Sequence, residues 1–394
     1  ILTEVKKSDK VTVLEDEDDW MKVATADGYV GYIKTKFLKN QKKEKTSRDF
    51  TEPVYTDMTE DHSINMAWHN VTNAAANNAV QQVLASTSGL TTIAPTWFSL
   101  ADTEGNISSI ADADYVNYAH TAGLEVWAVF RDFHGGTNSY DETYETLRYT
   151  SKRAKLEDQV VAAAVAAGVD GINLDFELIS SKCGVHYVQL VRELSVKCHQ
   201  NNLVFSVDNY VPQSYNSHYD LKEQGIVADY VVIMAYDEHT EGSYEAGSVA
   251  SISYLQDGIE KTLKKVSADK VIAGIPFFTR LWFETAKSPE QLSEEAGTEA
   301  ASYPNKVSSK ALGMEEAAQS VVNAGATAQW DEKTQQNYAK WSADGGTYRI
   351  WLEDAQSLEA KLKVIQGSKL AGVAEWSLGR EESSVWKLIS QYVN

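Results

Sequence analysis

Asp175 and Glu177 are the residues in this chain whose types and spacing point most directly to chemistry. They close the stretch Val169-Asp170-Gly171-Ile172-Asn173-Leu174-Asp175-Phe176-Glu177, which reads as a buried strand ending in two acids. Side chains alternate across a strand, so Asn173, Asp175 and Glu177 share one face while Ile172, Leu174 and Phe176 share the other. An amide and two carboxyls lined up at a strand's end are costly to bury without a purpose. In a barrel of parallel strands, the C-terminal strand ends are where catalytic groups gather.

Two carboxyls two residues apart cannot both ionise freely, so the charge on Asp175 is expected to raise the pKa of Glu177 and keep it available as a general acid. Cleavage of a glycosidic bond needs such an acid, usually with a second carboxylate on the opposite face of the sugar. Two acids on one strand face are poorly placed to straddle an anomeric carbon. The spacing therefore favours a mechanism in which the substrate's own acetamido group is the nucleophile, oriented by Asp175. Taken alone, the pair also reads as a structural hydrogen-bonding unit or as two ligands of a divalent metal.

The Asp170…Asp175-x-Glu177 pattern behind a Gly-Val pair resembles the signature of glycoside hydrolase family 18. Chitinases of that family carry a third Asp where this chain has Asn173. The Asn form is similar to the bacterial branch of spore cortex-lytic and cell-wall N-acetylglucosaminidases. Three further segments carry the same resemblance in the same order: Met234-Ala235-Tyr236-Asp237, the Gly274-x-Pro276…Arg280-x-Trp282 stretch, and Glu375-Trp376-Ser377. The resemblance implies that Glu177 is the acid, that Asp175 and Tyr236 hold the acetamido group, and that Trp376 forms the floor beneath the sugar. It adds Asn173, Met234, Asp237 and Arg280 as substrate-binding candidates. Taken singly, Tyr236 reads equally as a core tyrosine and Arg280 as a structural ion-pair partner.

These residues need a frame. Apolar runs at 64–69, 91–97, 124–130, 169–176, 203–207, 230–236, 271–277 and 370–376 alternate with helical patterns at 73–85, 155–167, 185–199, 254–265 and 355–365. That alternation predicts an α/β chain with an eight-stranded (β/α)8 barrel over residues 53–394. The connection after the seventh strand is too long for a simple link. It predicts a small α+β insertion at 283–348, with a helix at 314–322 and Trp330, Trp341 and Trp351 either in its core or as outer sugar platforms. Ahead of the barrel, Lys10-Val11-Thr12-Val13-Leu14, Trp20 and Gly28-Tyr29-Val30-Gly31-Tyr32 resemble part of a bacterial SH3 domain at 1–39. Residues 40–52 read as its linker. Such domains bind cell-wall peptides, while the alternative is a spacer.

Composition narrows the field further. The 394 residues hold 36 Lys and Arg against 56 Asp and Glu, a formal charge of −20, which disfavours nucleic acid and anionic membranes as partners. No run is long enough to span a bilayer. Neither His-Glu-x-x-His nor Cys-x-x-Cys is present, so no metal and no cofactor are expected. Cys183 and Cys198 flank a predicted helix about 20 Å long. A disulfide needs Cα atoms within about 7 Å, so two free thiols are expected. The combined reading is a monomeric retaining glycosidase for N-acetylglucosamine-containing polysaccharides, outside the cell or associated with wall or spore. A lectin-like protein on the same fold is the alternative.

Overall fold

The computed structural model describes residues 2–43, 45, 47 and 57–393, and the chain divides into two compact units, 1–54 and 55–394. The expected linker at 40–52 lies partly outside the described residues.

The first unit is an antiparallel meander of β1 (Val11–Glu17), β2 (Trp20–Thr25) and β3 (Val30–Lys34). Alternation in β2 buries Met21 and Val23 and leaves Trp20 exposed. Tyr29, Tyr32 and Phe37 are exposed as well. The three strands fit an SH3-like module.

The second unit is a closed barrel of eight parallel strands. In chain order these elements are β4 (Ile64–His69), β5 (Thr92–Pro95), the short antiparallel pair β6 (Phe98–Leu100) and β7 (Ile107–Ser109), β8 (Glu125–Arg131), β9 (Gly171–Asp175), β10 (Val204–Tyr210), β11 (Tyr230–Met234) and β12 (Val271–Pro276). An insertion of β13 (Phe278–Ala286), β14 (Asn305–Gly313), β15 (Gln329–Asp331), β16 (Gln336–Ala343) and β17 (Gly346–Leu352) precedes the last barrel strand, β18 (Gly372–Trp376). The ring runs β4-β5-β8-β9-β10-β11-β12-β18, and β18 pairs back onto β4.

Each barrel strand divides its side chains between two layers. Ile172, Leu174, Phe205, Val207, Val231 and Ile233 point outward into a core shared with the surrounding helices. Met66, Trp68, Trp127, Val204, Tyr230, Val232 and Ala374 point inward and fill the barrel. Trp127 and Tyr230 stack with centroids 5.3 Å apart and plug the lower barrel. The floor beneath the strand ends is therefore solid, and only the mouth is left for chemistry.

Three local features depart from the sequence reading. The second strand breaks after Pro95 and resumes as β6, because Pro95 has no N–H to continue the ladder. Helices Ala113–Thr121, Tyr140–Leu147, Leu221–Val227 and Val385–Val393 were not foreseen. The insertion sheet also starts earlier and ends later than 283–348, spanning Phe278–Leu352. Phe277 still bonds to the barrel at Trp376, while Phe278 already pairs with Gly313. The apolar run Ile275-Pro276-Phe277-Phe278 crosses this handover without a change of period, so periodicity cannot place it. Within the insertion, helix Met314–Asn323 covers the sheet through Ala317 and Val321, which cluster with Leu312, Ala339 and Ile350. Trp341 stacks on Tyr348 at 5.4 Å, and Trp351 tilts against Tyr338 at 4.7 Å.

Cys183 and Cys198 are free and buried, and burial pushes the Cys183 thiol up to about 12.

Candidate active site

The site is built by β8, β9, β10 and β11, whose C-terminal ends carry polar residues at inward positions. On β9, Asn173 is fully buried and locked from both sides. The Trp68 indole N–H donates to its Oδ1 at 3.0 Å. Its own amide donates to Ser206 Oγ at 2.9 Å and to Asp208 Oδ1 at 2.7 Å. Asn173 thus lies beneath the acids as a spacer that fixes its neighbours.

Asp175 follows at the last position of β9, 7% exposed, with Arg131 of β8 in register beside it. Its Oδ1 has no partner among the described residues. Burial drives its carboxyl well above the usual range, the charges of Glu177, Asp208 and Asp132 add to this, and Arg131 opposes them.

Glu177 stands just beyond the strand. Its backbone N–H donates to Asp132 Oδ1 at 2.8 Å, and the N–H of Leu178 donates to the same carboxyl. Asp132 is fully buried, also accepts from Thr143 Oγ1 at 3.1 Å, and is pushed up to about 7 by burial. It fixes the backbone that aims Glu177. The side chain of Glu177 accepts a short hydrogen bond from the Tyr210 hydroxyl. Burial raises the Glu177 pKa, the Tyr210 bond lowers it, and the charge of Asp237 raises it. The raised acid was expected from Asp175. Burial and the charge of Asp237 raise Glu177, and the repulsion between Glu177 and Asp175 adds to the rise of the pair.

Across the mouth, Met234 and Tyr236 share the inward face of β11 and its continuation. Tyr236 meets Trp68 edge-on at 6.4 Å and Phe278 at 6.2 Å. A Cβ on Gly274 would lie 3.3 Å from the Tyr236 ring and 2.9 Å from the Ile233 carbonyl oxygen, so glycine there makes room for the tyrosine. Asp237 adopts a positive φ of 58° as the chain turns out of the strand. Burial raises its pKa and Arg280 lowers it. Trp376 ends β18 half-buried, edge-on to Trp68 at 6.0 Å, and its peptide bond to Ser377 is cis.

Arg280 lies on β13 of the insertion, not on the seventh barrel strand. Its Nη1 donates to Ser309 at 2.8 Å, and its Nε has no partner among the described residues. The proposed acids, Tyr236, Asp237 and Trp376 are thus ranged around one mouth with Arg280 on its rim. Trp330, Trp341 and Trp351 belong to the outer strands of the insertion.

Sequence reasoning missed Asp132, Asp208, Tyr210 and Trp68. A signal existed for two of them. Ser206-x-Asp208-x-Tyr210 continues the inward alternation of β10, but the strand was ended at 207, where its hydrophobic pattern stops. Asp132 and Trp68 act across strands and leave no local pattern.

Comparisons with known proteins now bear on this geometry. Residues 1–39 match the profile of the bacterial SH3 domain. "Uncharacterized glycosylase YvbX" of Bacillus subtilis (strain 168) is 26% identical over 295 residues, covering 72% of this chain and 80% of that protein. The "Cortical fragment-lytic enzyme" of the same organism is 27% identical over 256 residues, covering 62% of this chain and 54% of the relative, so the chain spans about half of that enzyme's length. The crystal structure of the Bacillus megaterium QM B1551 spore cortex-lytic enzyme SleL superposes with a TM-score of 0.69 at 20% identity, covering 86% of this chain and 75% of the other, a likeness of fold. Residues 133–381, well over half of the chain, match the profile of glycosyl hydrolases family 18. With its closed parallel barrel and carboxyl-lined mouth, the chain belongs to that family of hydrolases.

Proposed function

We propose that this glycosidase hydrolyses β-1,4 bonds next to N-acetylglucosamine with retention, using the substrate's acetamido group as nucleophile. One observation carries this reading. Asp175 and Glu177 stand two residues apart at the C-terminal end of one strand, β9, with Asp132 at the end of β8 and Asp208 on β10 beside them. A double displacement by two enzymic carboxylates needs them about 5–5.5 Å apart on opposite sides of the anomeric carbon. Two acids at one strand end supply a proton donor and its support, and the acetamido group takes the nucleophile's part.

In this reading Glu177 protonates the glycosidic oxygen, and the acetamido oxygen attacks the anomeric carbon as that bond breaks. Asp175 accepts the acetamido N–H and balances the positive charge of the oxazolinium that forms. Tyr236 holds the carbonyl end, and Trp376 supports the sugar face. Glu177 then takes a proton from the water that opens the oxazolinium, which restores the acid. Asn173, Met234, Asp237 and Arg280 shape the surrounding pocket. The cortex-lytic relatives favour peptidoglycan or cortex over chitin, and the exposed Trp20, Tyr29 and Tyr32 of the SH3 unit favour a cell-wall peptide as its partner. The reading places the protein at the wall or spore. No helix among the described residues is long and apolar enough to cross a membrane.

The test is to incubate the protein and its Glu177→Gln variant with purified peptidoglycan and, separately, with chitin oligosaccharides, and to identify new reducing ends by mass spectrometry. Glu177-dependent N-acetylglucosamine ends from peptidoglycan are expected. Ends from chitin oligosaccharides alone would replace the polymer assignment. Binding without new ends from either would leave a glycan-binding protein.

A further inference from the structure

Asp208 takes no step in the reading above, yet it is a buried acid whose charge acts on Asp175. Strands β9 and β10 are parallel, with Asn173 opposite Ser206 and Leu174 opposite Val207. The next step of that register sets Asp175 beside Asp208, and the one after on the same face sets Glu177 beside Tyr210, which are hydrogen-bonded. Asp175 is therefore flanked by Arg131 on one side and Asp208 on the other.

The hydrogen bonds beneath fix which way each group faces. Trp68 can only donate, so Oδ1 of Asn173 faces it and the amide nitrogen faces Asp208. Asp208 Oδ1 is thereby satisfied. Two oxygens remain without partners among the described residues, Oδ1 of Asp175 and Oδ2 of Asp208, each on a carboxyl less than a tenth exposed. Two buried acceptors without a donor are costly, and one proton between them satisfies both. Arg131 stands on the far side of Asp175 and favours the charge there. Asp208 has no guanidinium beside it.

We propose that Asp208 is a positioning residue: as the neutral acid it turns its O–H to the free oxygen of Asp175, so that Asp175 keeps its charge and its aim toward the substrate. The role rests on Asp175 acting on the acetamido group. No bond to substrate forms or breaks at Asp208, and the proton stays on it through the cycle.

The charged and titratable groups around it agree. Asp175 and Glu177 face it from the end of β9, Tyr236 from the end of β11 and Tyr187 from the helix layer, with the Trp68 indole below, while Arg131 and Asp132 act on Asp175 from its other side. Burial first, and the charge of Glu177 next, push Asp208 up to about 8, while the bonds from Asn173 and Trp68 oppose this.

Two variants and one titration test the proposal. Asp208→Asn keeps a neutral donor and should hold kcat at pH 6 within about threefold, whereas Asp208→Ala should lose about 10- to 100-fold in kcat with KM nearly unchanged. In the wild type, loss of a proton from either Glu177 or Asp208 ends activity. With Asn only Glu177 can lose one, so the alkaline limb of kcat should move to higher pH. An unmoved limb with equal losses in both variants would overturn the role. Independently of any substrate, carbon NMR of labelled carboxyls in the Glu177→Gln protein should show Asp208 protonated at pH 6. A resonance typical of an ionised carboxylate there overturns the proposal even if Asp208→Ala fails to fold. If the wild type turns over neither polymer, the reading of function fails while this titration still decides the proton.

Discussion

The two ends of the barrel both carry buried acids, and they treat them in opposite ways. At the base, Asp229 is fully buried but accepts the N–H groups of Met58 and Phe205 at 2.7 Å each and a hydrogen bond from His199 at 3.0 Å. Asp170, only half-buried, accepts the N–H of Val126 and a bond from His120, both at 2.8 Å. Each stands just before a barrel strand and ties its start to the neighbouring strand. At the mouth, by contrast, Asp175 and Asp208 each keep an oxygen without a partner among the described residues. A buried acid with full hydrogen bonding stabilises a fold, while one left incomplete is held there at a cost on the order of a few kcal/mol. Satisfaction, more than residue type, separates Asp229 and Asp170 from Asp175 and Asp208. The family signature spans both, since its first Asp, Asp170, is a base residue and its second, Asp175, a mouth residue.

The largest effects expected from this contrast are kinetic and belong to the mouth. Asp175→Asn should reduce kcat by about 100- to 1,000-fold, the scale of losing one electrostatic partner of the transition state. Its melting temperature should stay level or rise, because an unsatisfied acid is replaced by a neutral amide. A variant that melts earlier and keeps its turnover would place Asp175 with the structural acids.

The mirror experiment at the base should give the reverse. Asp229→Ala leaves two backbone N–H groups and His199 without their acceptor, at an expected cost of about 2–4 kcal/mol. Thermal unfolding measures this directly, and kcat of the folded fraction should match the wild type. Lost turnover at unchanged stability would mean that the base acids reach the chemistry and would dissolve the distinction between the ends.

The same contrast explains what could be read from the sequence. Ile64–His69 emerged with its observed bounds, because a buried parallel strand is a nearly continuous apolar run. Asp175 and Glu177 emerged because one strand's alternation puts them on one face. The barrel interior turns polar at the mouth, however, so a reading that follows hydrophobicity stops too soon. It ended the fifth strand at 207 and lost Asp208 and Tyr210. Asp132 lies some 45 positions before Glu177, and its bond to that backbone is a product of folding that no local spacing records. Arg280 was left between the seventh strand and the insertion because the apolar run through Phe277 and Phe278 hides the passage from one to the other.

Tyr210 tests the contrast at its finest grain, since its hydrogen bond partly satisfies the one mouth acid that must give up its proton. A bond donated to a carboxyl favours the ionised form, and Tyr210 accordingly lowers the Glu177 pKa against the rise from burial and from Asp237. Tyr210→Phe removes that opposition. The pKa of Glu177 should rise, so the acid stays protonated to higher pH and the alkaline limb of kcat moves upward. Near the optimum kcat should fall only modestly, about three- to tenfold, because the hydroxyl also orients the carboxyl and steadies its ionised form after proton transfer. A pH–rate profile of the variant separates these effects. If the limb moves downward instead, Tyr210 supports the protonated acid, and Glu177 would join the incompletely satisfied acids as a donor held ready by its neighbour.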